Sequence, residues 1–263
     1  MESIESYHIQ IVSKILEDRQ LKHEKQNNKN SKILQFTDYA GHDSNDEPGE
    51  KSYMSKIKKH EKVLWKPGTC VYPIPAVLVS CGNMEKSNII TVAWTGILNT
   101  EPAMVYISVR PTRYSYNIIN ETKEFVINLT DENLTYAVDW CGVKSGKDFD
   151  KFKEMNLTKQ KADFVKSPMI AESPVSLECK VVETKVLGSH TMFMAKVLGI
   201  HASKEYIDEN GAFDISKCNL IAYANGGYYQ LGKKMGRFGY SVIKKKTKAK
   251  QKNKKHKFNL QKS

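Results

Sequence analysis

Four short runs, AVLVSC (76–81), NIITVAW (88–94), AMVYISV (103–109) and EFVINL (124–129), are rich in β-branched and aromatic residues and lie between turn signals such as Gly82-Asn83 and Glu101-Pro102. Branching at Cβ suits a pleated surface and crowds a helix, so these runs read as strands. Two longer runs, SPVSLECKVVETKVLG (173–188) and HTMFMAKVLGIHAS (190–203), meet at Gly188-Ser189, and NLIAYA (219–224) reads as the last strand. Helical patterns are fewer: YSYNIINE (114–121), ENLTYAVDWC (132–141) and DFDKFKEM (148–155), with Asp131 placed to cap the second. This order predicts a mainly β domain, a barrel with a few inserted helices.

The strand pattern does not extend to the chain ends. Residues 1–53 hold Ile9, Ile11, Val12, Ile15 and Leu16 at the spacing of a short helix, then the polar stretches KHEKQNNKNSK and DYAGHDSNDEPGEK. They read as an extension that is largely disordered or a short helix. Residues 54–243 are the predicted compact domain. Residues 244–263 carry ten lysines and no acidic side chain, and so hold most of the net charge of +12. Such a run reads as a disordered, solvated tail. It lacks the interleaved aromatics of a single-strand stacking platform, so it predicts nonspecific polyanion contact at most. No run approaches the roughly 20 apolar residues of a membrane helix. The opening MESIESYHIQ lacks the basic-then-apolar order of a secretory leader. The five cysteines, at 70, 81, 141, 179 and 218, are odd in number, and none stand two apart. They suggest neither a zinc ribbon nor a disulfide framework and fit the reducing cytoplasm.

Arginine is scarce: only Arg19, Arg110, Arg113 and Arg237 among 41 basic residues. Two of the four fall in SVRPTRYS, between a strand and a helix. Arginine presents a planar fork of donors that matches phosphate, and a helix N-terminus adds N–H groups and a positive dipole. With Ser108, Thr112 and Ser115 beside them, Arg110 and Arg113 read either as a phosphate clamp or as two surface salt bridges. In NIITVAWTG, Asn88, Thr91 and Thr95 interrupt apolar positions. They could hydrogen-bond a flat heterocycle held against Ala93 and Trp94, although a half-buried strand with a packed tryptophan explains them as well. WCGVKSGKDFDKF (140–152) places Lys144, Lys147 and Lys151 around Gly142 and Gly146, as a loop that closes over an anion or as a solvated lysine loop. His190, alone at a strand start, reads as structural on its own. No HExxH, nucleophile elbow, phosphate-loop lysine motif or GxGxxG fingerprint appears.

Taken in order, these strings resemble the flavin reductase-like family, and within it the flavoredoxin-type branch, over about residues 63–243. WKPGTCVYPIPAVLVSCG, NIITVAWTG, EPAMVYISVRPTRYSYNII, EFVINL, DWCGVKSGKDFDKF, SPVSLECKV, LGSHTMFMAKV and LIAYANGGYYQLG carry the resemblance. It implies an FMN-binding split β-barrel working as a homodimer with flavin near the subunit interface. It also implies either NADH- or NADPH-dependent flavin reduction or an electron carrier with tightly bound FMN. By the same resemblance Asn88, Thr91, Ala93 and Trp94 match the strand along the isoalloxazine and ribityl chain. Ser108, Arg110, Arg113 and Ser115 match the phosphate side, and Asn128 a further flavin-contacting strand end. Ser145, Gly146 and Lys151 match a closing loop, and His190 a histidine near the nicotinamide. Hydride transfer between two cofactors needs positioning rather than a catalytic triad, which suits a sequence with binding residues and no acid–base pair.

Overall fold

The computed structural model describes residues 57–242. The expected 1–53 extension and the Lys-rich tail lie outside the described residues. Seven antiparallel strands form the main sheet in the order β3 (Ser87–Val92), β2 (Val77–Gly82), β6 (Glu124–Leu129), β9 (Val175–Val186), β10 (Thr191–Ala202), β5 (Met104–Val109), β4 (Thr95–Asn99). The chain thus passes from one edge of the sheet to the other through Ala93 and Trp94 alone. In a flat sheet those edges would be about 29 Å apart, six spacings of about 4.8 Å. The chain from Val92 to Thr95 reaches no further than about 11 Å. The sheet therefore curls until its edges adjoin at this crossing, and β3 does touch β5. This mainly β, half-barrel architecture with few helices is the one the strand pattern predicts.

Side chains sort by strand period. Val77, Val79 and Cys81 of β2 and Ile90 and Val92 of β3 point into the barrel, where they meet Ile107, Phe125 and Phe193. The alternate positions, Leu78 and Ile89, pack outward against Val138 and Cys141 of helix α2 (Thr135–Val143) and Phe152 of the short helix α3 (Lys151–Glu154). A strand covered on both faces is apolar at nearly every position, which is why β2 reads as one run broken only by Ser80. Helix α1 (Tyr114–Thr122) follows β5. The Asp131 side chain accepts from Leu134 N at 3.1 Å, and so caps the 3-10 turn Glu132–Leu134 that leads into α2.

A smaller sheet, β1 (Ile74–Pro75), β11 (Ile221–Ala224) and β12 (Gly227–Gln230), stands beside the barrel. The turn between β11 and β12 is Asn225-Gly226, with φ of 46° and 87°. Positive φ at both positions is the signature of the Asn-Gly hairpin. β7 (Lys159–Gln160) and β8 (Met169–Ile170) form a two-stranded ladder. Among the described residues no helix is long and apolar enough to cross a membrane.

Candidate functional site

The crossing between the sheet edges is also where the surface opens. A cleft of about 520 Å³ is lined by Thr91, Val92, Ala93 and Trp94 from the crossing and by Ser108, Val109 and Arg110 from the end of β5. Arg113, Gly142, Val143 and His190, with Ala76, Asp139, Tyr223 and Tyr228, complete the lining. A second pocket of about 260 Å³ shares Ile90, Arg110 and Arg113 with it. Asn88, Thr112, Ser115, Cys141, Lys144, Ser145, Gly146 and Lys151 line this second space. The two arginines thus stand where the spaces meet.

Local structure explains the placement. Arg113 N donates to Arg110 O at 3.0 Å, which folds Arg-Pro-Thr-Arg into a turn and starts α1 at Tyr114. Arg113 is the N-cap and offers no side-chain cap, so the first N–H groups of the helix stay open toward an anion. Neither Arg110 nor Arg113 makes an ion pair among the described residues. Among the described residues the surface salt-bridge alternative is therefore not seen.

Lys151 is the least expected member of the group. It is 3% exposed, and its Nζ donates to Cys141 O at 2.6 Å. No carboxylate pairs with it among the described residues. Asp150 holds it there by accepting from Phe152 N and Lys153 N at the start of α3. Burial, opposed by the nearby Cys141 and reinforced by the positive charge of Arg113, brings its ammonium down to about 8. A buried cation without a counter-ion is costly to fold around, and an anion placed against it would remove that cost.

Asn88 Nδ2 donates to Ser115 Oγ at 2.7 Å, joining β3 to α1 under the pocket. A Cβ on Gly146 would stand 2.0 Å from Asn88 Oδ1, so the loop after α2 lies against Asn88 only because residue 146 has no side chain. Thr91 Oγ1 donates to Val138 O, so this hydroxyl fixes α2 against β3. Ser108 N donates to Trp94 O at 2.8 Å, which sets the tryptophan backbone at the rim. Trp94 is 39% exposed, and its ring stacks on His190 at 6.1 Å with planes 5° apart. Burial, and then the charge of Arg110, lower the His190 pKa, which favours the neutral imidazole. Burial pushes the Cys141 thiol up to about 11, so it is a protonated wall residue at neutral pH.

One expected residue does not reach the site. Asn128 is fully buried in β6, flanked on both sides by β2 and β9. Its amide donates to Leu78 O and Ser80 Oγ and accepts from Ile170 N and Ser176 Oγ, so it has no group left to offer a ligand. Three residues went unmarked in the sequence. Tyr223 and Tyr228 come from the small sheet, and Tyr228 donates to Asp139 of α2 at 3.2 Å. Burial, with the charge of Asp139, pushes the Tyr228 hydroxyl up to about 12. The Asn-Gly hairpin was the available signal for this wall, but nothing in chain spacing links it to residues 91–94.

The flavin reductase like domain model matches residues 69–232. An uncharacterized protein of Pyrococcus abyssi is 32% identical over 155 residues, which span 59% of this chain and 88% of that protein. Among solved structures, the flavoredoxin of Desulfovibrio vulgaris (Miyazaki F) is 25% identical, with a TM-score of 0.64 over 70% of this chain and 100% of that one. A protein of Shewanella frigidimarina with a split barrel domain is 20% identical, with a TM-score of 0.58 over 64% of this chain and 86% of that one.

Proposed function

The chain belongs to the flavin reductase-like family of flavin-related oxidoreductases, and from that membership we propose that it binds FMN and catalyses flavin reduction by NADH or NADPH. The observation that carries this reading is the pocket where Arg110, Arg113 and the buried Lys151 converge, with no carboxylate among the described residues to pair them. A phosphomonoester carries about −1.5 to −2 charges at pH 7 and three acceptor oxygens, which complements that pocket. The open N–H groups of α1 and the hydroxyls of Thr112 and Ser145 add neutral donors. The adjoining 520 Å³ cleft then takes the ring system, with Thr91, Ala93 and Trp94 along one edge.

When bound, FMN supplies the hydride chemistry, accepting hydride at N5. The chain's own residues bind, orient and exclude water. Arg110, Arg113 and Lys151 would hold the phosphate, the two arginines offering planar forks of donors. Ser108 keeps the Trp94 backbone at the rim. Asn88 and Gly146 keep the closing loop down, with Ser145 at its mouth. Neutral His190, beside Trp94, faces the nicotinamide side as a hydrogen-bonding group rather than as a charge. Residues 54–243 are the flavin domain in this reading, the active form is a homodimer, and the Lys-rich tail is a polyanion-attracting appendage. All five cysteines are free, which is consistent with a cytoplasmic setting.

A second reading is favoured by the likeness to a flavoredoxin: an electron carrier whose FMN stays bound and serves protein partners. The visible spectrum of the purified protein, saturated with FMN and then given NADH or NADPH without oxygen, separates the two. Bleaching by nicotinamide supports the reductase. A yellow protein bleached only by a reduced redox protein supports the carrier. No binding of FMN in an equilibrium titration, together with no FMN-dependent oxidation of NADH or NADPH, contradicts both.

A further inference from the structure

Charge is divided unevenly between the two spaces. Arg110 and Arg113 stand at their junction, and Lys144 and Lys151 line the second pocket. The 520 Å³ cleft is lined by one acidic side chain, Asp139 of α2, and the second pocket by none. Asp139 is exposed, so a ligand in the cleft can reach it. Its Oδ1 accepts from the Tyr228 hydroxyl at 3.2 Å, the one hydrogen bond seen to this carboxylate among the described residues. Oδ2 is left with its lone pairs open. Burial, and then the charge of Asp139, push the Tyr228 hydroxyl up to about 12, so it orients the carboxylate without giving up its proton. Tyr223 lies beside Tyr228, with ring centres 5.7 Å apart, and both line the cleft. The cleft therefore offers flat aromatic surfaces and one carboxylate, and no lysine or arginine beyond the pair at the junction.

We propose that Asp139 selects the hydride donor, making it NADH rather than NADPH, by accepting from the adenosine ribose diol and repelling a 2′-phosphate. The proposal rests on the reductase reading and says which of its two dinucleotides the cleft takes. The two donors differ only at the 2′ position of that ribose. NADH carries a hydroxyl there, which can donate to a carboxylate, the usual pairing where a site takes the unphosphorylated dinucleotide. NADPH carries a phosphomonoester of about −1.5 to −2 charges, which offers acceptors to an acceptor and repels it. The cations that could reverse the choice are committed. In the flavin reading Arg110, Arg113 and Lys151 face the FMN phosphate, and Lys144 lies over the Phe149 ring at 5.6 Å. A 2′-phosphate in the cleft then meets Asp139 with no lysine or arginine left to pair it. Rejection of the wrong substrate by unpaired like charge is a strong source of specificity. Position assigns Asp139 to the adenosine half. Trp94 and His190 mark the nicotinamide end in the flavin reading, whereas Asp139 is joined to the tyrosines of the small sheet, which give adenine a surface to lie on. Asp139 itself moves neither hydride nor proton.

The test mixes the full chain, saturated with FMN and free of oxygen, with NADH or NADPH and follows flavin bleaching by stopped flow. The parent protein is expected to bleach at least about tenfold faster per unit concentration of NADH than of NADPH. Asp139→Asn removes the charge and keeps the shape, and should narrow that ratio at least about fivefold, through a gain with NADPH. Asp139→Arg should reverse the preference. Circular dichroism checks that both variants fold like the parent, as an exposed position allows. A parent that uses NADPH as well as NADH, or variants that keep the parent's ratio, would overturn the assignment. Equal losses with both donors would do so too, since they place Asp139 on a group the donors share or leave it only a packing role. Bound FMN that neither donor bleaches sinks the reductase reading and the assignment with it. Bleaching without discrimination sinks the assignment alone.

Discussion

Among the described residues two charged side chains are buried, Glu178 and Lys151, and their surroundings are opposite. Glu178, fully buried on β9, accepts from the N–H groups of Asp163, Phe164 and Val165 and contacts His201 Nε2 at 2.6 Å. Burial alone would raise its pKa. The Asp163 N–H, His201 and the N–H groups of Phe164 and Val165 outweigh that and hold it below the usual carboxylate range. Lys151 is as deeply buried, yet has one carbonyl and an open pocket before it. A carboxylate whose lone pairs are all used holds a fold together; here it ties the loop at 163–165 to the sheet. A cation with donors to spare, facing a cavity, suits the ligand proposed for it. The Asp163, Glu178 and His201 side chains come close enough to suggest a metal, but the saturated Glu178 carboxylate makes the group a structural knot.

The contrast predicts different losses. The largest follows Glu178→Ala, which strips acceptors from three backbone N–H groups. Stability in denaturant should fall by about 3–5 kcal/mol, with FMN affinity of the folded fraction kept. The folded pKa of Glu178 lies below its unfolded value, so its contribution is complete above the ordinary carboxylate range and is lost as pH falls through the folded value. Next come Arg110→Lys and Arg113→Lys. Each keeps the charge and loses the fork, and should weaken FMN binding by about 1.5–3 kcal/mol, roughly tenfold to over a hundredfold, with stability unchanged. Unaltered FMN affinity in both variants would falsify the clamp.

Lys151→Met sharpens the comparison from the other side. Removing an uncompensated buried cation should leave the flavin-free protein as stable or more so, while FMN affinity falls about tenfold or more. The parent protein should also lose FMN affinity as pH rises above about 8, because the free pocket then holds a neutral amine. The phosphate is already fully ionised there, its second pKa being about 6, so it cannot compensate. The methionine variant should show no such fall. The smallest effect is expected from deleting 244–263. Flavin binding and NAD(P)H oxidation should be unchanged, and only retention on RNA or heparin at low salt should drop. Loss of FMN binding on truncation would put the tail in the site.

How much of this was readable from sequence depends on how local the determinant is. The strand runs at 124–129 and 175–186 and the helix at 114–122 follow from Cβ branching and periodicity within one segment. β4 falls between the runs at 88–94 and 103–109 and carries no strand signal of its own, because Thr95–Asn99 is a largely exposed edge with a mixed pattern. The arginine pair was legible because arginine is scarce in this chain. Burial of Lys151 was not, since it depends on α3 folding back against Cys141. Asn128 was misplaced because a polar residue near a strand end looks the same whether it faces a ligand or a buried network on a central strand. Tyr223, Tyr228 and Asp139 reach the cleft only through tertiary packing.

Calorimetric titration of the purified full-length chain at pH 7 with FMN and, separately, with riboflavin isolates the phosphate pocket from the ring cleft. The two ligands differ only by the phosphate that Arg110, Arg113 and Lys151 are proposed to hold. FMN should bind about a hundredfold or more tightly than riboflavin, the worth of two or three charge-assisted hydrogen bonds. Lys151→Met should narrow that ratio. Equal affinity for the two flavins would contradict the assignment of the cationic pocket to phosphate.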